Sequence, residues 1–188
     1  MATFQPTHPT GSCTFENAAG DPYEEFTCLY PLLGSTYTSF ETSYNVVPVR
    51  DWMRDHSSVP VLACLLYGLF VVYGPRYFAD KAAWNWRRGM ICWNLALSVF
   101  SGIGFFRSVA PLLHNMYHLN VRQNLCNDPA SSYASGSTGL WMQLFALSKF
   151  PELFDTVFIV VHKKKLIFLH WYHHVTVLLY CWHSYVTS

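Results

Sequence analysis

Four apolar stretches, each long enough to cross the hydrocarbon of a bilayer, constrain the fold of this chain more than any other feature. They lie at about residues 59–75, 89–112, 139–161 and 166–187. Crossing about 30 Å of hydrocarbon takes about 20 mainly apolar residues, and a helix satisfies its backbone polar groups internally, as lipid requires. Over the whole chain 52% of residues are hydrophobic and 12% are charged, which is unlike a soluble domain. The sequence therefore predicts an all-α fold, a polytopic membrane helix bundle with four transmembrane helices.

The segment before these stretches differs in composition. Residues 1–49 contain no lysine or arginine, are rich in Thr, Ser, Pro and Tyr, and lack the basic start and apolar core of a cleavable signal peptide. We therefore predict a flexible lumenal leader over residues 1–45 and a membrane domain over residues 46–188. The six cysteines follow no metal-binding spacing, so we expect unligated thiols or at most one lumenal disulfide.

Basic residues flank the stretches unevenly, and their positions predict the orientation. Arg76, Lys81, Arg87 and Arg88 lie between the first two stretches, and residues 163–165, all lysine, lie between the last two. Short loops rich in lysine and arginine stay on the cytosolic side of a membrane. We therefore expect these two loops in the cytosol, and the leader and the polar loop before the third stretch on the opposite side.

The third stretch contains Lys149, Glu152, Asp155 and Thr156 among its apolar residues. Its twelve strong hydrophobes favour insertion by roughly 6 kcal/mol, whereas three charged groups near the centre cost about 8 to 10 kcal/mol. At 100° per residue Lys149, Glu152 and Thr156 lie within about 60° of one another and Asp155 a further 60° round. They form one stripe that should face the bundle interior, and Pro151 beside it predicts a kink.

This stripe has two interpretations. In the first, it is an intramembrane ion network, with Lys149 paired to Glu152, that only fixes how the helices pack. In the second, a kinked and charged helix lies next to the helix of the fourth stretch and encloses a cavity with a chemical function.

The fourth stretch carries three imidazoles, at His170, His173 and His174. Their i, i+3 and i+4 spacing predicts one helix face, roughly 7 to 14 Å into the membrane from the cytosolic side. A neutral imidazole serves as nucleophile, general base or metal ligand, and spacing alone does not choose among them. A His-x-x-His-His box also occurs in membrane di-iron desaturases and hydroxylases, which need several such boxes. The other candidate pair, His114 and His118, should lie in a loop on the far side, so no metal site is predicted.

Two segments carry a family resemblance. Residues 147–158, with Lys149, Glu152, Asp155 and Thr156, match a Lys-x-x-Glu-x-x-Asp-Thr motif, and residues 165–174 match a His-x-x-His-His box. Together they resemble the fatty acid elongases, the very-long-chain 3-oxoacyl-CoA synthases of the endoplasmic reticulum. The His-Trp-Tyr-His-His sequence is most similar to the subgroup that acts on saturated and monounsaturated long-chain substrates. The resemblance covers roughly residues 45–188.

The resemblance implies an acyltransferase that joins malonyl-CoA to a long-chain acyl-CoA with decarboxylation and gives 3-oxoacyl-CoA. It implies that His173 holds the acyl group as an acyl-imidazole and that His170 and His174 position or polarise the reacting groups. The stripe of Lys149, Glu152, Asp155 and Thr156 would support the site and its CoA contacts. No cofactor or metal is implied beyond the two substrates.

The resemblance also implies a location and partners. We expect a multi-pass protein of the endoplasmic reticulum membrane, with the leader in the lumen and the histidine box toward the cytosol. Expected partners are acyl-CoA, malonyl-CoA, the lipid bilayer, ketoacyl-CoA reductase and other enzymes of the elongation cycle, and a second copy of the chain in a homodimer. We expect no nucleic-acid partner.

The chain departs from the family pattern in two ways. His162 stands where the family usually has arginine before the basic cluster. The family has about seven spans and a further histidine downstream, whereas this sequence contains four spans and stops at Ser188. We expect such a chain to be incomplete and inactive by itself. The alternative readings are a di-iron desaturase or hydroxylase and an ion-coupled transporter.

Overall fold

A computed structural model describes residue 7 and residues 13–126 and 130–187. Within these residues the only strands form one short hairpin, so the prediction of an all-α fold is confirmed. The elements are β1 (Thr14–Glu16), β2 (Pro22–Glu24), α1 (Phe26–Leu29), α2 (Pro31–Gly34), α3 (Ser39–Thr42), α4 (Val47–Asp55), α5 (Ser58–Phe78), α6 (Arg87–His118), α7 (Val121–Cys126), α8 (Ala130–Tyr133), α9 (Gly136–Glu152), α10 (Phe154–Val161) and α11 (Phe168–Thr187).

The chain divides into two compact units. One is formed by the described residues of segments 1–52 and 102–145, and the other by residues 53–101 and 146–187. The candidate site residues of the third and fourth stretches all belong to the second unit.

The first unit contains the segment that the sequence predicts to be a flexible leader. Strands β1 and β2 pair antiparallel, with Phe15 opposite Tyr23, and a disulfide joins Cys13 to Cys28. The turn between the strands is closed by the Asn17 side chain, which accepts hydrogen bonds from the backbone of Ala19 and Asp21. The described part of the leader thus contains a hairpin held by a cross-link and local hydrogen bonds, and its flexibility and lumenal location remain predictions.

A partly buried ion pair ties α3 to α6 within the same unit. Arg107 donates from Nε to Glu41 Oε1 at 3.0 Å, and Trp141 donates from Nε1 to the same oxygen at 2.8 Å. Glu41 and Thr38 also form a reciprocal capping box at the start of α3. Burial by itself would raise the pKa of Glu41, but hydrogen bonds from Thr38, Trp141 and Arg107 together hold that pKa below its ordinary value.

Helices α5 and α6 are long and apolar enough to cross a membrane. Of the 18 consecutive residues that are most apolar in each helix, only 17% are buried in α5 and none are buried in α6. Leucines 62, 65, 66 and 69 of α5, for example, are all more than half exposed. Because so continuous an apolar surface does not remain in contact with water, α5 and α6 are helices of a membrane protein.

Helix α6 is longer than the second apolar stretch. Its 32 residues correspond to roughly 48 Å at 1.5 Å per residue, and it continues past residue 112 to His118. His114 and His118 therefore lie on its last turns rather than in a loop, and this part of the prediction is wrong. The polar residues there favour solvent but do not break a helix.

The third apolar stretch is divided between α9 and α10. Helix α9 ends at Glu152 and α10 begins at Phe154, so the helix is interrupted at Leu153, two residues after Pro151. Around the interruption Leu153 N–H donates to the Phe150 carbonyl at 3.1 Å and Thr156 N–H donates to the Leu153 carbonyl at 3.3 Å. These tighter i to i−3 bonds replace the α-helical pattern that proline disrupts.

The second unit is organised around α5, which packs against α10 and α11. The connection between α5 and α6 is held to the end of α10, because Trp84 N–H donates to the Val161 carbonyl at 3.1 Å. This packing places the polar groups of α10 and α11 next to those of α5.

Candidate active site

Two of the three histidines face the packed side of α11. His170 and His174 are one turn apart, with ring centroids 4.6 Å from each other, and His174 is buried, as are Leu178 and Trp182 one and two turns further along. Since residues four apart share a helix face, the apolar pair at 178 and 182 also fixes the direction of the two imidazoles.

A chain of hydroxyl groups connects α5 and α10 to His170. Tyr67 Oη lies 2.6 Å from Thr156 Oγ1, and Thr156 Oγ1 lies 3.0 Å from His170 Nε2. Thr156 is fully buried and Tyr67 is 6% exposed. The Thr156 hydroxyl has one proton, so it donates to one of these neighbours and accepts from the other. The Tyr67 ring also meets the His174 ring edge to face, at 6.2 Å between centroids.

His173 has a different environment from the other two. It is exposed, and its ring lies 5.9 Å from that of His174. The sequence predicts one shared face for the three rings, whereas the structure turns His170 and His174 toward α10 and α5 and leaves His173 accessible. The reason is geometric, because adjacent residues 173 and 174 differ by about 100° around the helix axis.

Lys149 and Glu152 form the ion pair that their spacing predicts. Lys149 Nζ donates to Glu152 Oε1 at 2.5 Å, and the Ser148 hydroxyl donates to the same oxygen at 3.1 Å. The two charged side chains are 12% and 24% exposed. Pairing the charges lowers the cost of placing them among apolar neighbours.

Asp155 has a separate partner, because Trp93 of α6 donates from Nε1 to Asp155 Oδ1 at 2.6 Å. The Trp93 ring packs against Phe154 and Phe158. Neither Trp93 nor Tyr67 is among the site residues that the sequence predicts. The available signal was their chemistry, since tyrosine and tryptophan inside an apolar stretch usually have a polar partner.

The second histidine pair, His114 and His118, makes its contacts within the first unit. His114 Nε2 lies 2.6 Å from Thr7 Oγ1, and its Nδ1 lies 2.9 Å from Tyr30 Oη. The His118 ring lies beside it, with ring centroids 4.4 Å apart and the ring planes tilted by 37°. In the described part of the chain, no group of three or more His, Cys, Asp or Glu side chains is placed so that it could hold a metal ion.

The three imidazoles differ in access and in support. His173 is accessible, His174 lies beside it, and His170 next to His174 is held by its hydrogen bond with Thr156. A ring fixed by a hydrogen bond needs less reorganisation when a substrate reacts next to it.

Curated proteins that are similar to this chain include several fatty acid elongases. The chain is 39% identical to mouse very long chain fatty acid elongase 6 over 146 residues, which cover 78% of this chain and 54% of that protein. It is 40% identical to fatty acid elongase 1 of Trypanosoma brucei brucei, with coverages of 77% and 54%. For fatty acid elongase 3 of the same organism the identity is 36%, with coverages of 81% and 58%. The chain spans about half the length of the curated relatives it matches.

The family comparison covers the candidate site. The family model described as ELO: GNS1/SUR4 family matches residues 52–188, which include α5, α9, α10 and α11. No solved structure gives a significant match to this chain. Because the family model matches most of the chain and the similar curated proteins are fatty acid elongases, the chain belongs to the ELO (GNS1/SUR4) family, that of the fatty acid elongases.

Proposed function

We propose that this protein acts in the condensation step of fatty acid elongation, joining malonyl-CoA to a long-chain acyl-CoA and releasing carbon dioxide and 3-oxoacyl-CoA. The observation that carries this proposal is the histidine cluster of α11, with His170 anchored through Thr156 to Tyr67 and His173 left accessible. This cluster lies inside the region that matches the family.

The first half-reaction is acyl transfer to imidazole. A ring nitrogen of His173 attacks the thioester carbonyl, a carbon–nitrogen bond forms, and the carbon–sulfur bond breaks. The CoA thiolate leaves, and the ring gives up its proton to solvent or to the departing sulfur. Imidazole is nucleophilic near neutral pH and thiolate is a good leaving group, so neither partner needs metal activation.

The second half-reaction consumes the acyl-imidazole. Malonyl-CoA loses carbon dioxide, and the carbanion that remains attacks the acyl carbonyl on His173. The bond to the ring nitrogen breaks, the imidazole regains a proton, and 3-oxoacyl-CoA is released. His170 and His174 position the reacting carbonyl groups in both steps.

The polar residues of α9 and α10 support this chemistry. Thr156 orients His170 directly, at 3.0 Å. Asp155 is fixed by Trp93, and the Lys149–Glu152 pair adds polar groups that help to hold the site together and to contact CoA. We assign Lys149, Glu152, Asp155 and Thr156 supporting roles in the reaction.

The proposed function includes a location and partners. The protein would lie in the endoplasmic reticulum membrane, with the leader in the lumen and the histidine box reached by CoA thioesters from the cytosol. The product would pass to a ketoacyl-CoA reductase, and two copies of the protein would associate as a homodimer.

The test is condensation by membranes that contain the protein expressed from the complete reading frame of its gene. Membranes given labelled malonyl-CoA and a long-chain acyl-CoA should form labelled 3-oxoacyl-CoA. The change His173→Ala should abolish the product while the protein still inserts in the membrane. His183→Ala is the matched control, since His183 is an exposed histidine on the same helix, and it should leave the rate unchanged.

Two results would contradict the proposal in different ways. If wild-type membranes form no malonyl-dependent product, the proposed reaction is wrong. If the wild type and the His173→Ala variant both catalyse condensation, the proposed reaction stands but the assignment of His173 as the nucleophile is wrong. Mass spectrometry of wild type incubated with acyl-CoA alone should find the acyl group on His173.

A further inference from the structure

An open cavity of about 460 Å³ lies in the second unit, between the C-terminal end of α5 and the turn that joins α10 to α11. This volume is within the range of about 300 to 1,000 Å³ that is typical of small-molecule sites. The residues that line it are Val71, Pro75, Phe78, Ala79, Val160, Lys163, Lys164, Lys165, Leu166 and Trp171. We refer to it below as the lysine cleft.

The turn that carries the three lysines has a fixed backbone. Lys163 has a φ of 54° and donates its N–H to the Val160 carbonyl at 3.0 Å, while Lys164 N–H donates to the Ile159 carbonyl at 2.9 Å. These two bonds and the left-handed residue form a Schellman motif at the end of α10. Lys163 Nζ also donates to the Ala79 carbonyl at 2.7 Å. The turn is thus tied to the end of α5, and Lys164 and Lys165 directly follow the tied residue.

The charge in the lysine cleft has one sign. All three charged residues that line it are lysines, and in the described part of the chain no acidic residue is among its lining residues. Lys164 and Lys165 are exposed. Uncompensated ammonium groups at a concave surface attract anions, and phosphate groups above all, because several charges act on one ligand.

Aromatic and aliphatic side chains make up the rest of the lining of the cleft. Phe78 is held edge to face against Trp84, with ring centroids 6.3 Å apart, and Trp171 is held in the same way by Phe168 at 5.0 Å. A cleft lined by both ammonium groups and aromatic rings suits a ligand with both phosphates and a planar base. A phospholipid headgroup offers phosphate but no such base.

We propose that the lysine cleft binds the adenosine 3′,5′-bisphosphate end of the CoA substrates, with Lys164 and Lys165 contacting its phosphates. This inference rests on the proposed function, which supplies CoA thioesters as substrates. Trp171 lines the cleft and directly follows His170 on α11. A CoA bound by its nucleotide in the cleft therefore has its thioester arm starting next to the helix that carries the histidines.

The experiment compares two substrates that differ only in the nucleotide. The protein, expressed from the complete reading frame and placed in nanodiscs of neutral phosphatidylcholine, is assayed with malonyl-CoA and with malonyl-pantetheine. Lys164→Ala combined with Lys165→Ala should raise KM for malonyl-CoA by about tenfold, or about 1.4 kcal/mol for the loss of two exposed charged contacts together. It should leave kcat unchanged and should not alter KM for malonyl-pantetheine.

The matched control removes two positive charges from the neighbouring loop. Arg87→Ala combined with Arg88→Ala alters another basic groove in the same unit, and it should leave both KM values unchanged. Lys163 is kept in all variants because it holds the turn in place.

Three outcomes would overturn the proposal. The lysine variant has an unchanged KM for malonyl-CoA, or the arginine variant raises it equally, or the lysine effect appears only when anionic phospholipid is added to the nanodiscs. The last result would assign the cleft to lipid phosphate.

Binding without catalysis separates this inference from the proposed reaction. Equilibrium dialysis with labelled adenosine 3′,5′-bisphosphate should show binding to wild type that weakens about tenfold in the lysine variant and with rising salt. If the nucleotide binds but no condensation occurs, the cleft is confirmed and the proposed reaction fails. If condensation occurs but the nucleotide does not bind, the cleft proposal fails.

Discussion

The hydroxyl of Tyr67 acts on the histidines through one intermediate residue. It bonds to Thr156, which in turn bonds to His170, so Tyr67 is a positioning residue. The change Tyr67→Phe keeps the ring that packs against His174 but removes the hydroxyl. One buried hydrogen bond is worth about 1 kcal/mol or more, so kcat for condensation should fall about tenfold, while KM for both CoA substrates should not change.

Two further variants show whether the effect comes from the hydroxyl chain. Tyr73→Phe is the control, because Tyr73 lies on the same helix but is 60% exposed, and it should leave kcat unchanged. Thr156→Ser retains a hydroxyl at the middle position and should keep most of the activity, whereas Thr156→Val should not. An unchanged kcat in Tyr67→Phe would contradict the positioning role.

Part of this site could be predicted from spacing along the chain. The Lys149–Glu152 pair and the His170–His174 pair are three and four residues apart, and helical geometry alone brings such residues together. The partners Tyr67 and Trp93 lie on other helices. Their positions depend on how helices pack, which no local pattern in the sequence specifies.

At the scale of elements, helix existence was more predictable than helix ends. Helices α5 and α6 contain the first two apolar stretches, as expected, because apolar length largely determines a membrane span. The prediction placed a loop from residue 114, yet α6 continues to His118. The third stretch is interrupted at Leu153, near the proline that predicted a kink. A kink and a complete interruption have the same sequence signal.

Glu41 links three helices of the first unit and should make their stability depend on pH. Its pKa is lowered in the folded protein, so the stabilisation is present above the ordinary glutamate pKa and is lost as pH falls through the lower folded value. The change Glu41→Gln should reduce the free energy of unfolding at neutral pH by about 2 kcal/mol, because Arg107 loses a buried charged partner.

The measurement is thermal unfolding in detergent, followed by tryptophan fluorescence between pH 7 and pH 3. Wild type should lose stability toward the acid end, and the Glu41→Gln variant should lose less over the same interval. Glu16→Gln serves as the control, since Glu16 is an exposed glutamate of the hairpin. A variant as stable as wild type at pH 7 would show that the ion pair contributes nothing.

At the scale of the whole molecule, the part that matches the family and the part before it are stabilised differently. The family match begins at residue 52, and its helices α5 and α6 are apolar along their length and largely exposed. The leader has a hairpin and a disulfide instead. The sequence allowed at most one disulfide but did not identify its cysteines, because pairing depends on the folded positions of all six.

Removing the disulfide should destabilise the leader without affecting the histidine cluster. The bond joins two cysteines that are 15 residues apart. By restricting the unfolded chain, a cross-link over this length is expected to stabilise the fold by about 3 kcal/mol. The changes Cys13→Ser and Cys28→Ser, together, should make the segment sensitive to limited proteolysis. Cys126→Ser, at an exposed free cysteine, should have no such effect. Equal protease resistance in both variants would contradict the prediction.

The cross-link between Cys13 and Cys28 also has a consequence for biogenesis. Cytosolic thiols are kept reduced by glutathione and thioredoxin, whereas the secretory pathway supplies oxidant. Closing the amino-terminal hairpin therefore requires an oxidant, and a chain kept under reducing conditions would retain a first segment that is open to degradation.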